Sequence, residues 1–203
     1  MISIDPAQRT ARDNYKLLIG SIIPRPIAFV TTVSDIGVLN AAPFSYFSIV
    51  SSAPPMISVS VQRKSGTRKD TARNAIGAGA FVVHIVDETN VEAVNRTAAG
   101  LPSDESEVTY AALTPVASEA IAVPGVREAK IRMECVLEKA LELGGTDAEP
   151  ACDLLIGRVV RFHLAEEVYQ GGYILADRLQ PVSRLAGNEY AALGKSFTLE
   201  RPQ

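Results

Sequence analysis

Two short segments carry most of the chemistry that this chain can offer. The first is Asn40-Ala41-Ala42-Pro43-Phe44-Ser45-Tyr46-Phe47. Small side chains followed by an imino acid let a flat ligand approach the backbone, and a break at Pro43 frees main-chain N–H and C=O groups to bond it. The second is Arg63-Lys64-Ser65-Gly66-Thr67-Arg68-Lys69-Asp70-Thr71. Cations, hydroxyls and the start of a helix together compose a phosphate site. Asp70 is the expected N-cap, with Thr71 in the first turn. Each segment also has a plainer reading, the first as an edge strand with a bulge, the second as a capped helix under a solvated basic loop. Their place on neighbouring strands favours one ligand with a flat end and a phosphate end.

Other groupings are thin. His84 and His163 are the two histidines, each flanked by apolar residues in a strand-like run, and both read as structural. Glu134, Glu138 and Glu142 fall in another strand-like run and read as solvated charges. Cys135 and Cys152 are too few for a disulfide framework or a zinc site, and read as two buried thiols. No G-x-S-x-G marks a serine nucleophile, and no G-x-G-x-x-G follows the first strand. No side chain is assigned a catalytic role, and no cluster suggests a metal.

The supporting elements read as mainly β with a few helices. Residues 13–19 suggest a short helix closed by Gly20. Strands are expected at 27–33, at 38–50 with Pro43 inside, and at 56–62. In the last, Ile57, Val59 and Val61 share one face, while Ser58, Ser60 and Gln62 share the other. Helices are expected at 67–76 and 88–99, with a buried strand at 81–86 between them. Residues 100–125 are irregular, and 129–141 with 153–164 form a hairpin whose loop includes Gly144-Gly145-Thr146-Asp147. Several strands without βαβ alternation favour a closed antiparallel barrel.

Length and composition agree with that reading. The chain has 203 residues, 47% of them hydrophobic and 21% charged, enough for a substantial core. A net charge of −3 without a dense basic surface argues against nucleic-acid binding. No apolar run is long enough for a membrane span, and the N-terminus lacks signal-peptide order, so a cytoplasmic location is expected.

A family resemblance adds what spacing cannot supply. Arg25-Pro26-Ile27-Ala28-Phe29-Val30, Gly37, the segment from Asn40 to Phe47, Pro54-Pro55 and Lys69-Asp70-Thr71 together resemble the flavin reductase-like, FMN-binding split-barrel family, closest to its flavoredoxin-type branch. The likeness runs over residues 14–157, with a weaker echo over 181–190. It implies a single domain over 1–203, an antiparallel split β-barrel of Greek-key type, and a homodimer binding FMN near the subunit interface. It further implies that the backbone around Ala41, Ala42 and Pro43 meets the flavin ring, with Asn40 among the cofactor-binding residues. Ser45, Ser58 and Ser60 become candidates for the ribityl chain, and Arg63, Lys69 and Thr71 for the phosphate, with Asp70 ordering the loop. Arg184 and Tyr190 are placed near the flavin or the dimer interface.

The implied activity is FMN oxidoreduction with NAD(P)H or a redox partner protein, the alternative being a flavin-binding or sensing module without turnover. Short-chain relatives carry a histidine beside the nicotinamide site where this chain has Cys152, which argues against efficient NAD(P)H oxidation.

Overall fold

The computed structural model describes residues 1–146 and 148–202. Asp147, expected in the hairpin loop, lies outside the described residues. Helix α1 (Ala11–Ser21) starts at Thr10, whose hydroxyl accepts from the Asp13 N–H. It runs through Gly20 rather than stopping there, because Ile22 can still donate to the Leu18 carbonyl before Pro24. The chain then enters β1 (Arg25–Pro26) and β2 (Ala28–Val33). The single strand expected over 38–50 is two, β3 (Leu39–Phe44) and β4 (Phe47–Ser52), and β5 (Pro55–Gln62) follows.

Helix α2 (Asp70–Ala78) begins three residues later than expected and ends at Gly79, whose φ of 65° is the left-handed conformation of a helix stop. Strand β6 (Ala80–Ile85) leads to α3 (Val91–Arg96), shorter than the helix expected there. The irregular stretch holds α4 (Glu107–Tyr110) and the small pair β7 (Pro115–Val116) and β8 (Gly125–Val126). The hairpin of β9 (Ile131–Gly145) and β10 (Pro150–Leu164) is the longest element pair. The tail adds the ribbon β11 (Tyr169–Gln170) and β12 (Tyr173–Ile174), a turn of helix α5 (Ala176–Leu179), then β13 (Val182–Arg184) and β14 (Tyr190–Ala192).

Seven strands form one antiparallel sheet in the order β3-β2-β6-β9-β10-β5-β4. Its two edges, β3 and β4, are consecutive in sequence and joined by only Ser45 and Tyr46. Two residues cannot span an open seven-stranded sheet, so the sheet must curl until its edges meet. This is why the expected strand divides: the chain changes from one edge to the other. Pro43 stands on edge strand β3, where its missing N–H costs no ladder bond within the sheet.

The barrel interior is filled from alternate positions. Ala28 and Val30 of β2, Ile57, Val59 and Val61 of β5, Phe81 and Val83 of β6, Met133 and Cys135 of β9 and Leu155 and Val159 of β10 form one buried cluster. Ala72 and Ala75 of α2 belong to the same cluster. A second cluster covers the outer face of β2, where Phe29 meets Val94 of α3 and Val108 of α4. Strand β2 is thus buried on both faces, which explains why it does not alternate between apolar and charged residues.

Two details fix the wall. At a register shift in β10, Gly157 leaves room for the Phe81 ring, since a Cβ there would lie 2.4 Å from Phe81 Cζ and 3.0 Å from Cys135 Cβ. His84 is fully buried, and its Nε2 accepts from the Val126 N–H at 2.9 Å. Its Nδ1 must therefore carry the proton, donated to the Phe29 carbonyl at 2.9 Å. Burial pushes this imidazole down to about 4, so it is a neutral structural bridge between the barrel and the segment after residue 100.

Candidate functional site

A cavity of about 720 Å³ opens beside the outer end of β3. Asn40, Ala42, Pro43 and Phe44 form one wall, and the loop from Lys64 to Thr71 forms the opposite end. Residues 97–101 and Glu107 close the third side. The edge position of β3 leaves its backbone without a further strand partner on this side, as a backbone-reading site requires.

At the loop end, Ser65 and Gly66 take φ values of 50° and 74°, so the chain reverses tightly and Lys64 and Thr67 pair across the turn. That reversal aims the loop at the start of α2. Lys69, not Asp70, is the N-cap residue, and no side chain bonds the first-turn N–H groups. Asp70 sits one position inside the helix, and its carboxylate pairs with Arg73 at 2.5 Å. The uncapped first turn, with Lys69 and Thr71 beside it, offers N–H donors and positive charge to an anion.

Behind the wall lies a polar network that fixes Asn40. Its Nδ2 donates to Glu107 Oε2 at 2.9 Å, and its Oδ1 accepts from the hydroxyls of Thr32 and Thr71, each at 3.2 Å. The Ala41 N–H donates to the same Glu107 oxygen at 3.1 Å. Burial raises the Glu107 carboxyl above the usual carboxylate range, opposed by these donors. Glu107 was not among the sequence candidates. It comes from the irregular stretch, and no local pattern marks it.

The sequence candidates therefore divide. Asn40, Ala42, Pro43, Lys69, Asp70 and Thr71 meet at this cavity, and Ala41 is fully buried with its N–H turned to Glu107. Ser45 lines a second, adjoining cavity instead. Ser58 and Ser60 lie on the face of β5 turned away from the core and do not line the larger cavity; Ser58 donates to the Ser48 carbonyl, and Ser60 accepts from Gln62.

Arg63 also departs from expectation. It makes a two-pronged contact with Asp153, Nε to Oδ2 at 3.0 Å and Nη2 to Oδ1 at 2.7 Å, and does not line the cavity. Arg68 adds a third bond to Asp153 at 3.0 Å. Burial alone would raise the Asp153 carboxyl, but the hydrogen bonds from Arg63 and Arg68 outweigh it and hold the group low.

Two further expectations are corrected. Glu134 is not solvated: it is 1% exposed, accepts from the Glu119 and Ala120 N–H groups, and pairs with His163. Cys135 is buried as expected, and burial pushes its thiol up to about 12, whereas Cys152 is only partly buried. The Cys152 thiol points to the Leu143 carbonyl at 3.6 Å and does not line the larger cavity.

Comparison with known proteins agrees with this architecture. Residues 19–181 match the model of the flavin reductase like domain. The Bacillus subtilis protein YwrF is 57% identical over 197 residues, covering 96% of each chain. The solved structure of nitrilotriacetate monooxygenase component B from Bacillus cereus is 66% identical, covers 98% of both chains and superposes with a TM-score of 0.97. The 2-nitrobenzoate 2-nitroreductase NbaA of Pseudomonas fluorescens is 30% identical with a TM-score of 0.89, over 99% of this chain and 96% of its own.

Proposed function

The chain belongs to the flavin reductase-like family, and from that premise we propose that it binds FMN in the larger cavity and serves as the reducing component for a separate oxygenase. One observation carries this reading: an exposed strand edge and an uncapped, cationic helix start open into the same space of about 720 Å³. That volume lies within the roughly 300–1,000 Å³ typical of small-molecule and cofactor sites. Its two ends suit a flat ring and a phosphate.

Bound FMN would supply two-electron transfer, so the protein need only bind, orient and shield. Backbone groups of Ala42 and Pro43 would face the ring, and Asn40, locked by Glu107, Thr32 and Thr71, would hold that edge in place. Lys69, Thr71 and the first-turn N–H groups of α2 would take the phosphate, joined by Lys64 from the loop. Arg63 would support the loop through Asp153 rather than touch the ligand. The 66% likeness to a monooxygenase component B supports an oxygenase as the partner.

We propose further that residues 1–203 act as one cytoplasmic domain that pairs with a second copy. Exposed Ile49, Val50 and Phe162 on strands β4 and β10 support a covered face in the assembled protein.

Cys152 favours a second mode, in which FMN stays bound and relays electrons between proteins without rapid NAD(P)H oxidation. The visible spectrum of the purified protein supplied with FMN, before and after anaerobic NADH or NADPH, tests both. Bound flavin that bleaches supports the reductase component, and bound flavin that resists bleaching supports the relay or a sensing module. A protein that takes up no FMN overturns the proposal.

A further inference from the structure

A second cavity, of about 370 Å³, adjoins the larger one and shares Pro43, Phe44 and Ala98 with it. Its polar wall has an imbalance of charge. Arg25 and Arg184 stand directly opposite each other in the antiparallel pair of β1 and β13. Like charges in that position repel and cost stability. Among the described residues neither finds a counter-charge: no Asp or Glu lines the cavity, and neither arginine forms a salt bridge.

Arg25 is only 6% exposed. Its Nη1 donates to the Ile19 and Ile22 carbonyls, its Nη2 to the Leu185 carbonyl, and its Nε to the Ser45 hydroxyl. These acceptors orient the guanidinium but leave its charge in place. Arg184 stacks on the Tyr190 ring, 4.4 Å from its centre, and gives one hydrogen bond to the Gly187 carbonyl. Most of its five N–H donors remain free. Tyr190 is itself held, donating to Asn95 Oδ1 at 2.9 Å. The remaining walls are mixed, with the aromatic Phe44, Tyr46 and Tyr15 beside aliphatic Ile19, Ile27 and Leu185.

We infer that this cavity is a binding site for a small aromatic carboxylate, whose anionic group meets Arg184 beside Arg25 and whose ring lies among Phe44, Tyr46 and Tyr190. Unpaired guanidinium donors suit a carboxylate in a two-pronged contact, and the aromatic side chains among the lining suit a planar ring. The volume is near the lower end of the roughly 300–1,000 Å³ range for ligand sites, which fits one substituted ring and is small for a dinucleotide. The inference rests on the FMN reading only for what the occupant meets across Pro43 and Phe44; the binding itself stands on the charges of the cavity.

Calorimetric titration of the FMN-supplied protein with benzoate, and then with its neutral isostere benzamide, tests the inference. Benzoate should bind at least about tenfold more tightly than benzamide, the loss expected when one charge-assisted contact is missing. Arg184→Gln should remove that discrimination, and Arg184→Lys should keep part of it. Equal binding of the two ligands, no binding of benzoate, or an Arg184→Gln protein that still discriminates would overturn it. Release of FMN by benzoate would overturn it too, since the two cavities would then be one site. Discrimination in a protein that takes up no FMN would sink the flavin reading and leave this one standing.

Discussion

Four cations lie within residues 63–71, and the structure uses them in two ways. Arg63, outside the lining of the larger cavity, and Arg68, at its edge, are both paired with a buried carboxylate, Asp153, and also reach Glu142. Lys64 and Lys69 are exposed, line that cavity, and form no ion pair among the described residues. The division follows side-chain shape. A guanidinium fork matches a carboxylate with two parallel bonds, whereas an ammonium is a compact charge on a flexible stem. A dense run of cations therefore does not measure the charge offered to a ligand; what remains after internal pairing does.

The strongest test of this division is Asp153→Ala. It removes the buried partner of two guanidinium groups, one of them largely buried, leaves them only the half-exposed Glu142, and should lower the unfolding free energy by about 3 kcal/mol in a denaturant titration. The wild-type Asp153 carboxyl is held below its ordinary value of 3.8, so its contribution is full above that pH and fades as the pH falls further. The variant should accordingly show a flatter acid limb of stability. A wild-type-like midpoint would mean that the arginines are as free as the lysines.

A smaller effect separates the two kinds of cation directly. Lys69→Ala should weaken FMN binding by about 1.5–3 kcal/mol while changing stability by no more than about 0.5 kcal/mol. Arg63→Ala should do the reverse, losing about 1–3 kcal/mol of stability with FMN affinity close to wild type. Fluorescence titration and denaturant midpoints on both variants decide the matter, and an exchange of the two outcomes would undo the comparison.

The mildest prediction concerns salt. Added NaCl should weaken FMN binding by the wild type, because exposed charges are screened over about 8–10 Å at moderate ionic strength. Lys69→Ala should respond less steeply. An equal slope in the two proteins would remove Lys69 from the phosphate end.

Much of the barrel was legible because its strands obey simple periods. The alternation of Ile57, Val59 and Val61 with Ser58 and Ser60 predicted one core-facing side of β5, and Pro43 pointed to a bulge or an edge, of which the structure shows the edge. The change of edge at Ser45 and Tyr46 was not legible, since it depends on closure of the whole sheet and not on a local breaker. The same limit explains Glu107 and Glu134. Each is a buried carboxylate satisfied by backbone N–H groups far away in sequence, and a strand or loop pattern carries no trace of such partners. Asp70 was misplaced by one position for a different reason: a carboxylate serves as well in a first helical turn as at a cap, and its pairing with Arg73 decided between them.

Gly157 ties the history of two distant positions together. Its missing side chain is the space that the Phe81 ring occupies, so a methyl group at 157 and a phenyl ring at 81 cannot coexist without movement of the wall. A lineage that replaces this glycine must first trade Phe81 for something smaller, and one that keeps Phe81 inherits the glycine with it. Residues 81 and 157 should thus change as a pair among descendants of this sequence, while neighbouring exposed positions on the same strand drift independently.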